Sequence, residues 1–425
     1  GHKLLCTQYD GHVIEETGLI KMDFLGLKTL SILKEAVENV RLSTGKTINL
    51  EEIPIDDPLT YKLYCEGRTI GTFQFESAGM QKYLRELQPT VFEDLIAMNA
   101  LYRPGPMDYI PEFIARKRDP SRVKYDIPCM EKYLKDTYGI TVYQEQVMLL
   151  SRQLANFTRG QSDTLRKAMG KKLIAQMDKL ETLFYEGGMK NGHPKEVLNK
   201  IWEDWKKFAS YAFNKSHATC YSWVAFQTAY FKAHYPAEFM AATMSSELDN
   251  TDQLKLFYDD ARDNGIRFLP PDVNHSGYHF QPDAQHRIRY ALGAIKGTGE
   301  AAVEAIVAAR EEGGAFKSLF DFCERVSRQH INRRTIEALV RGGAFDSIEP
   351  NRARLLANID LAMSNAEQQE ENANQGGLFD MVEDAIAPLE MIDVPAWGEA
   401  ELLAEEKQAI GFYFSGHPFG PYAQE

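Results

Sequence analysis

From Ala218 onward, apolar and aromatic residues recur at helical spacing through Cys220, Tyr221, Val224, Phe226, Ala229, Tyr230 and Ala233, until Tyr235-Pro236 stops the run. The spacing predicts a long helix. Its polar opening, FNKSH at residues 213–217, offers Asn214 or Ser216 as the N-cap. Lys215 and His217 then flank the backbone N–H groups of a helix N-terminus, where dipole and side chains together stabilise an anion such as phosphate. An ordinary capped helix, with His217 on its surface or satisfied in the core, fits the same residues.

Near the start of the chain the period is two. Ile20, Met22 and Phe24 share one strand face and Lys21 and Asp23 the other, so an amine and a carboxylate stand side by side. The LGLKTL stretch that follows turns helical and ends at Gly45. Its GKT is not a phosphate loop, because Val40 stands where that pattern needs a glycine. From about Ile53 to Tyr278 the chain reads as one large α-rich domain, broken at YRPGP (102–106), at Tyr138-Gly139 and at residues 191–194. Within it, Ser162 or Asp163 caps a short helix that sets Arg166 beside Lys167 and stops at Gly170 before Lys171 and Lys172. These four cations read as a phosphate clamp or as a solvated basic helix end. Tyr143, Gln144 and Glu145 open another helix. The 102–106 turn either holds Arg103 towards a phosphate or is purely structural.

Residues 272–282 read as a linker, after which the pattern changes. A short β-like run leads to the turn Gly297-Thr298-Gly299 and a helix from Glu300 to Arg310. Glycines let a backbone approach phosphate closely while helix N–H groups point at it. This resembles a helix-hairpin-helix DNA-binding motif, and INRRTIEALVRGGAFDSI is similar to a second, degenerate copy with Gly342-Gly343; a helical bundle with glycine caps fits them too. Residues 362–396 shift to Gln, Asn and Glu and read as an exposed linker. Inside it, the Leu378-Phe379 pair, three residues after Gln375, needs a partner to cover it.

Composition narrows the class. With 44% hydrophobic residues over 425 positions, the chain supports two or three domains, and no apolar run is long enough for a membrane span, so a cytoplasmic protein without membrane contact is expected. Five scattered cysteines predict reduced thiols and no cysteine metal site. The net charge of -13 opposes nucleic-acid binding only as an average. Basic residues gather at 103–124 and 159–172, while acidic ones gather at 367–384, so one part can face DNA while another avoids it.

The motifs IKMDFLGLKTL, GTFQFESAGM, LYRPGP, VYQEQVM, LRKAMGKK and FNKSHA through KAHYPAEF, in that order over most of residues 14–240, resemble bacterial DNA polymerase III alpha subunits, the C-family replicative polymerases. The resemblance implies a mainly α fold, α+β at its N-terminal end. Residues 1–52 would be the C-terminal part of the palm, 53–278 the fingers, 279–400 a helix-hairpin-helix and clamp-binding domain, and 401–425 the start of a truncated further domain. It implies templated addition of dNTPs to a primer 3′ end by two-metal nucleotidyl transfer, with two Mg2+ ions in the complete site. Asp23 matches the family's third palm carboxylate, a catalytic metal ligand, and Lys21 joins it. The other two carboxylates, an Asp-x-Asp motif expected upstream, are absent, so the chain is expected to be an excised piece, inactive alone.

The resemblance further implies that Arg166 and Lys167 contact the incoming triphosphate, although Lys167 lacks the bidentate fork of the arginine often found there. Arg103, Tyr143, Gln144, Lys171, Asn214, Lys215, Ser216 and His217 complete the nucleotide- and DNA-binding set, with Gly297, Thr298 and Gly299 on the duplex. Gln375, Leu378 and Phe379 match the sliding-clamp-binding peptide. The partners implied are primer-template DNA, dNTP, the beta sliding clamp and other subunits of the replicase holoenzyme. The rival readings are a non-catalytic DNA-binding or clamp-tethering protein that uses only the hairpins and QGGLF, and a helical scaffold with no nucleic-acid role.

Overall fold

Where period two predicted a strand through Phe24, a helix already begins: α1 spans Phe24–Thr44 and ends as predicted at Gly45. Leu is the commonest residue of this stretch, and its buried face, Ile32, Leu33, Ala36 and Val40, follows the helical period. The structure, a computed structural model, describes residues 24–375 and 390–412, so Lys21, Asp23, Leu378 and Phe379 lie outside the described residues. The fold is mainly α. It divides into two units, one comprising Asn49–His234 with the chain up to Ser31, the other Ile32–Ile48 with Tyr235 onward.

The first unit contains α2 (Pro58–Glu66), α3 (Ala78–Leu87), α4 (Phe92–Leu101), α5 (Ile110–Arg118), α6 (Glu131–Leu134), α7 (Gln144–Ala155), α8 (Arg159–Gly170), α9 (Ile174–Lys190), α10 (Lys195–Phe208) and α11 (Lys215–His234). From Ala218 to Ala229 α11 is buried on nearly every side, as a helix apolar all round must be. It packs on α2 and α4, where Phe226 meets the rings of Tyr61, Tyr64 and Phe92 at 5.5, 6.4 and 6.0 Å. Such pairs add about 0.5–1.5 kcal/mol each beyond the area they bury. A second core, closed by α7 to α10, centres on Phe184, Trp202 and Trp205. There α7 and α9 touch so closely that a Cβ on Gly187 would lie 1.9 Å from the Ala155 carbonyl oxygen.

In the second unit the C-terminal part of α1 is held by Asn39 Nδ2, which donates to the Glu238 carbonyl at 3.0 Å, and by Ser43 Oγ, which donates to Glu238 Oε1 at 2.8 Å. His279 bonds Glu35 on the same helix. Two helices, α12 (Pro236–Ser245) and α13 (Thr251–Asp263), precede three short strands, β1 (Phe268–Leu269), β2 (Gln281–Pro282) and β3 (Ile288–Arg289). Their order is β1-β3-β2, with β1 parallel and β2 antiparallel to β3. The predicted linker 272–282 is therefore packed structure: Val273, Ser276 and Phe280 are fully buried, and the Val273 and Ser276 carbonyls accept from Arg310 Nη1.

Then come α14 (Glu300–Gly313), α15 (Leu319–Arg325), α16 (Arg333–Arg341), α17 (Arg352–Ala357), α18 (Ile359–Asn374) and α19 (Glu399–Ile410) around a core of Ile306, Phe322, Leu339, Phe345 and Ile359. The polar stretch read as linker is helical up to Asn374. A narrow stripe, Ile359, Ala362 and Ala366, buries itself in that core and suffices to order a helix whose other faces are polar. Arg352 is almost wholly buried between Asp346 at 2.7 Å and Glu406 at 3.1 Å, which satisfies a charge that would otherwise be costly.

Candidate functional site

Segments far apart in sequence converge on the start of α11. Asn214 is its N-cap: Oδ1 accepts the His217 N–H at 3.2 Å and the carbonyl accepts the Ala218 N–H at 3.1 Å, while Ser216 lies inside the first turn. Tyr143 forms a parallel β-bridge with Phe213, and the Gln144 N–H donates to the Phe213 carbonyl at 3.0 Å. The starts of α7 and α11 thus lie side by side. This register brings Glu145 Oε2 to 2.9 Å from the Lys215 N–H, which it accepts, and places Lys215 Nζ 5.6 Å from the centre of the buried Tyr143 ring. The N–H group that the sequence reserved for phosphate already holds a carboxylate. Burial pushes the Glu145 carboxyl above the usual range, opposed by its backbone N–H bonds and by the charges of Arg166 and Lys215.

Arg103 and Lys172 use their donors differently. Arg103 Nη2 donates to the Tyr211 carbonyl and Nε to the Ala100 carbonyl at 2.9 Å, while the guanidinium lies 4.6 Å over the Phe213 ring. Lys172 donates to the Ala212 carbonyl at 3.2 Å. Burial lowers the pKa of both, and the charge of Arg103 lowers that of Lys172 further. Arg103 therefore shapes the loop leading into α11, its half-buried guanidinium donating to nearby carbonyls. Gly105 permits the approach. Its φ is +97°, and a Cβ there would fall 2.5 Å from the Tyr211 ring.

At α8 the cap differs from the one expected. Thr158 Oγ1 accepts the Gln161 N–H at 3.1 Å and Gln161 Oε1 accepts the Thr158 N–H at 2.9 Å, a reciprocal box that puts Ser162 and Asp163 inside the helix. The T-x-x-Q spacing carried this signal in the sequence. Asp163 then pairs with Arg166 at 2.7 Å and Lys167 at 3.1 Å, and both hold its carboxyl below the ordinary range. Such open pairs are weak and readily exchanged for another anion. Lys171 is exposed beyond the helix end, where the Gln144 side chain reaches 3.4 Å from a Cβ built on Gly170. His217 stands in an aromatic row, its ring centre 4.5 Å from that of Tyr221, which stacks on Phe73 at 5.6 Å.

In the second unit Gly297 turns the chain at φ +84° and Gly299 is the N-cap of α14. Between them Thr298 is buried, and its hydroxyl has no hydrogen-bond partner among the described residues. The turn lines a depression of about 420 Å³ that also includes Asp249, Thr251 and Tyr278. Gly342-Gly343 ends α16 instead of opening a helix, and the same helix places Thr335 Oγ1 3.4 Å from the Gly297 carbonyl. Gln375 is exposed at the end of α18. Among the described residues no three His, Cys, Asp or Glu side chains are placed together to hold a metal ion, and no helix is long and apolar enough to cross a membrane.

The chain is similar to known proteins along nearly its whole length. Residues 29–192 match the finger domain of the bacterial DNA polymerase III alpha subunit, and residues 265–355 match a helix-hairpin-helix motif. The chain is 59% identical over 419 residues to the DNA polymerase III subunit alpha of Neisseria meningitidis serogroup B, covering 99% of this chain and 36% of that protein. It is 44% identical over 429 residues to that of Xylella fastidiosa strain Temecula1, covering 99% and 36%, and 45% identical over 419 residues to that of Thermus aquaticus, covering 97% and 34%. The chain thus spans about a third of the length of the curated relatives it matches. The convergent helix starts of the first unit lie in sequence shared along nearly the whole chain with these proteins, and the chain belongs to the bacterial DNA polymerase III alpha-subunit family.

Proposed function

We propose that this chain supplies the fingers (53–278) and the duplex- and clamp-binding region (279–400) of a replicative DNA-directed DNA polymerase, with residues 1–52 completing its palm and 401–425 opening a further domain. The observation that carries this is the start of α11, where the Lys215 N–H already holds the Glu145 carboxylate and the charges of Arg166 and Lys215 act on that carboxylate. Backbone N–H groups, a helix dipole and exchangeable cations together favour a polyanion over a neutral ligand. In this reading the dNTP triphosphate lies along Lys215, Ser216, Arg166, Lys167 and Lys171, with His217 beside the sugar or triphosphate. Tyr143, Gln144 and Asn214 hold the two helix starts in register, and Arg103 braces the loop between α10 and α11.

Asp23, with Lys21 beside it, is assigned to the catalytic centre, one of several carboxylates needed for two Mg2+ ions. When bound, those ions orient the primer hydroxyl against the alpha-phosphate. Gly297, Thr298 and Gly299 are assigned to the backbone of the primer-template duplex. Gln375 is assigned to the rim of a pocket on the beta sliding clamp that buries Leu378 and Phe379. Two such anchors contribute about 1.5–3 kcal/mol each before the cost of ordering the segment, short of the roughly 8 kcal/mol of micromolar binding, so reaching about micromolar affinity takes the Gln375 contact and the rest of the segment as well. The setting is the cytoplasmic replicase holoenzyme.

The test is primer extension by the complete subunit carrying Asp23→Asn. A fall of roughly 10³-fold with duplex binding intact is expected, and near-normal turnover removes Asp23 from catalysis. Calorimetry with the clamp tests the tether on this chain directly. Leu378→Ala with Phe379→Ala should abolish binding without changing helix content, whereas equal affinity removes the peptide assignment.

A further inference from the structure

Glu145 was not needed for nucleotide recognition in the reading above, yet it occupies the position that recognition requires. Its Oε2 accepts the Lys215 N–H at 2.9 Å at the start of a 20-residue helix, the place where a helix dipole favours negative charge most. The charges of Arg166 on α8 and Lys215 on α11 act on it, and the ring 5.6 Å from Lys215 Nζ is Tyr143. Arg166 and Lys215 are also cations assigned above to the triphosphate. A carboxylate and a phosphate oxygen are interchangeable ligands for an N–H group, and two like charges do not share one site without a penalty.

We propose that Glu145 is the resident anion of the nucleotide site, displaced from the Lys215 N–H by an incoming triphosphate, and that it sets how tightly and how selectively nucleotide is held. The proposal rests on the triphosphate reading of the α11 start. Without nucleotide, the carboxylate keeps the helix start satisfied and the cations in place. A ligand must bring enough charge to displace it, so the exchange favours triphosphate over monophosphate and over a neutral nucleoside. The raised proton affinity of the Glu145 carboxyl agrees with this: burial already disfavours its charged form, which makes it a weak competitor instead of a permanent plug.

Tripolyphosphate and a dNTP serve as probes on the full 425-residue chain, by calorimetry. Glu145→Gln keeps an acceptor for the Lys215 N–H and removes the charge, whereas Glu145→Ala removes both. Both variants should bind either probe about tenfold tighter than the unaltered chain, and the gain for inorganic monophosphate should be larger than for triphosphate. Affinity equal to or weaker than that of the unaltered chain, with helix content unchanged, makes Glu145 a structural cap and overturns the proposal while leaving the triphosphate reading in place. If the unaltered chain and both variants all fail to bind either probe, the triphosphate reading fails and this proposal with it. A second measurement needs no variant. Carbodiimide labelling read by peptide mass spectrometry should show the Glu145 carboxyl becoming more reactive when tripolyphosphate is added, and unchanged or reduced labelling contradicts displacement.

Discussion

Two helix N-termini in this protein share one dipole and differ in everything around it. The start of α11 is assembled with side chains of the Arg103 turn and α7, and its half-buried Glu145 carboxylate feels the charges of Lys215 and Arg166. The start of α14 is made of backbone. Gly297 and Gly299 are exposed, Glu300 already supplies a negative charge to the first turn, and Asp249 lines the same depression. The difference teaches that a helix N-terminus takes its character from its surroundings: side-chain charge brought in from another helix marks the first, and bare glycines with carboxylates nearby mark the second.

The largest effect should come from breaking the assembly of the first. Gly105→Ala forces a Cβ into the Tyr211 ring at a φ of +97°, so urea unfolding should lose about 2–4 kcal/mol and triphosphate binding should fall with it. A loss below about 1 kcal/mol means that the loop repacks freely. Next in size, Arg166→Ala with Lys167→Ala should weaken dNTP binding about tenfold or more and change duplex affinity by less than about twofold. The reverse ranking in equilibrium titrations moves both residues onto the DNA track.

The α14 start was legible because everything that makes it is local: a glycine turn followed directly by a helical run. The α11 helix was legible for the same reason, with Asn214 before it and Tyr235-Pro236 after it. What was illegible is the long-range pairing. Nothing near Lys215 announces that Glu145, on another helix, satisfies its N–H, and nothing near Arg103 announces that the Tyr211 carbonyl takes its guanidinium. Residues 362–374 were misread because composition counts apolar residues and not their placement, and a stripe as narrow as Ile359, Ala362 and Ala366 is enough once a core lies beside it. Phe24 was misread because period two over a few residues does not exclude a helix start.

Smaller effects sharpen the second start. Thr298→Val replaces a buried, unpartnered hydroxyl with a methyl group, so stability should stay level or rise by up to about 1 kcal/mol. Smallest of all is a pH effect where α1 is held. The hydrogen bond to Glu35, helped by its charge and that of Glu300, raises the His279 pKa. That stabilisation is fully present below the unfolded value of about 6.5 and is lost as pH rises through the higher folded value. With His279 about half exposed, the change should be only a few tenths of a kcal/mol in unfolding titrations, and Glu35→Gln should flatten it.

The contrast between the two starts is tested most directly by photolabelling with a dNTP analogue that carries its azide on the gamma-phosphate, followed by peptide mass spectrometry. Crosslinks should fall within residues 159–172 and 211–221 and be competed by unmodified dNTP. Crosslinks confined to residues 292–300, or distributed without competition, contradict the account.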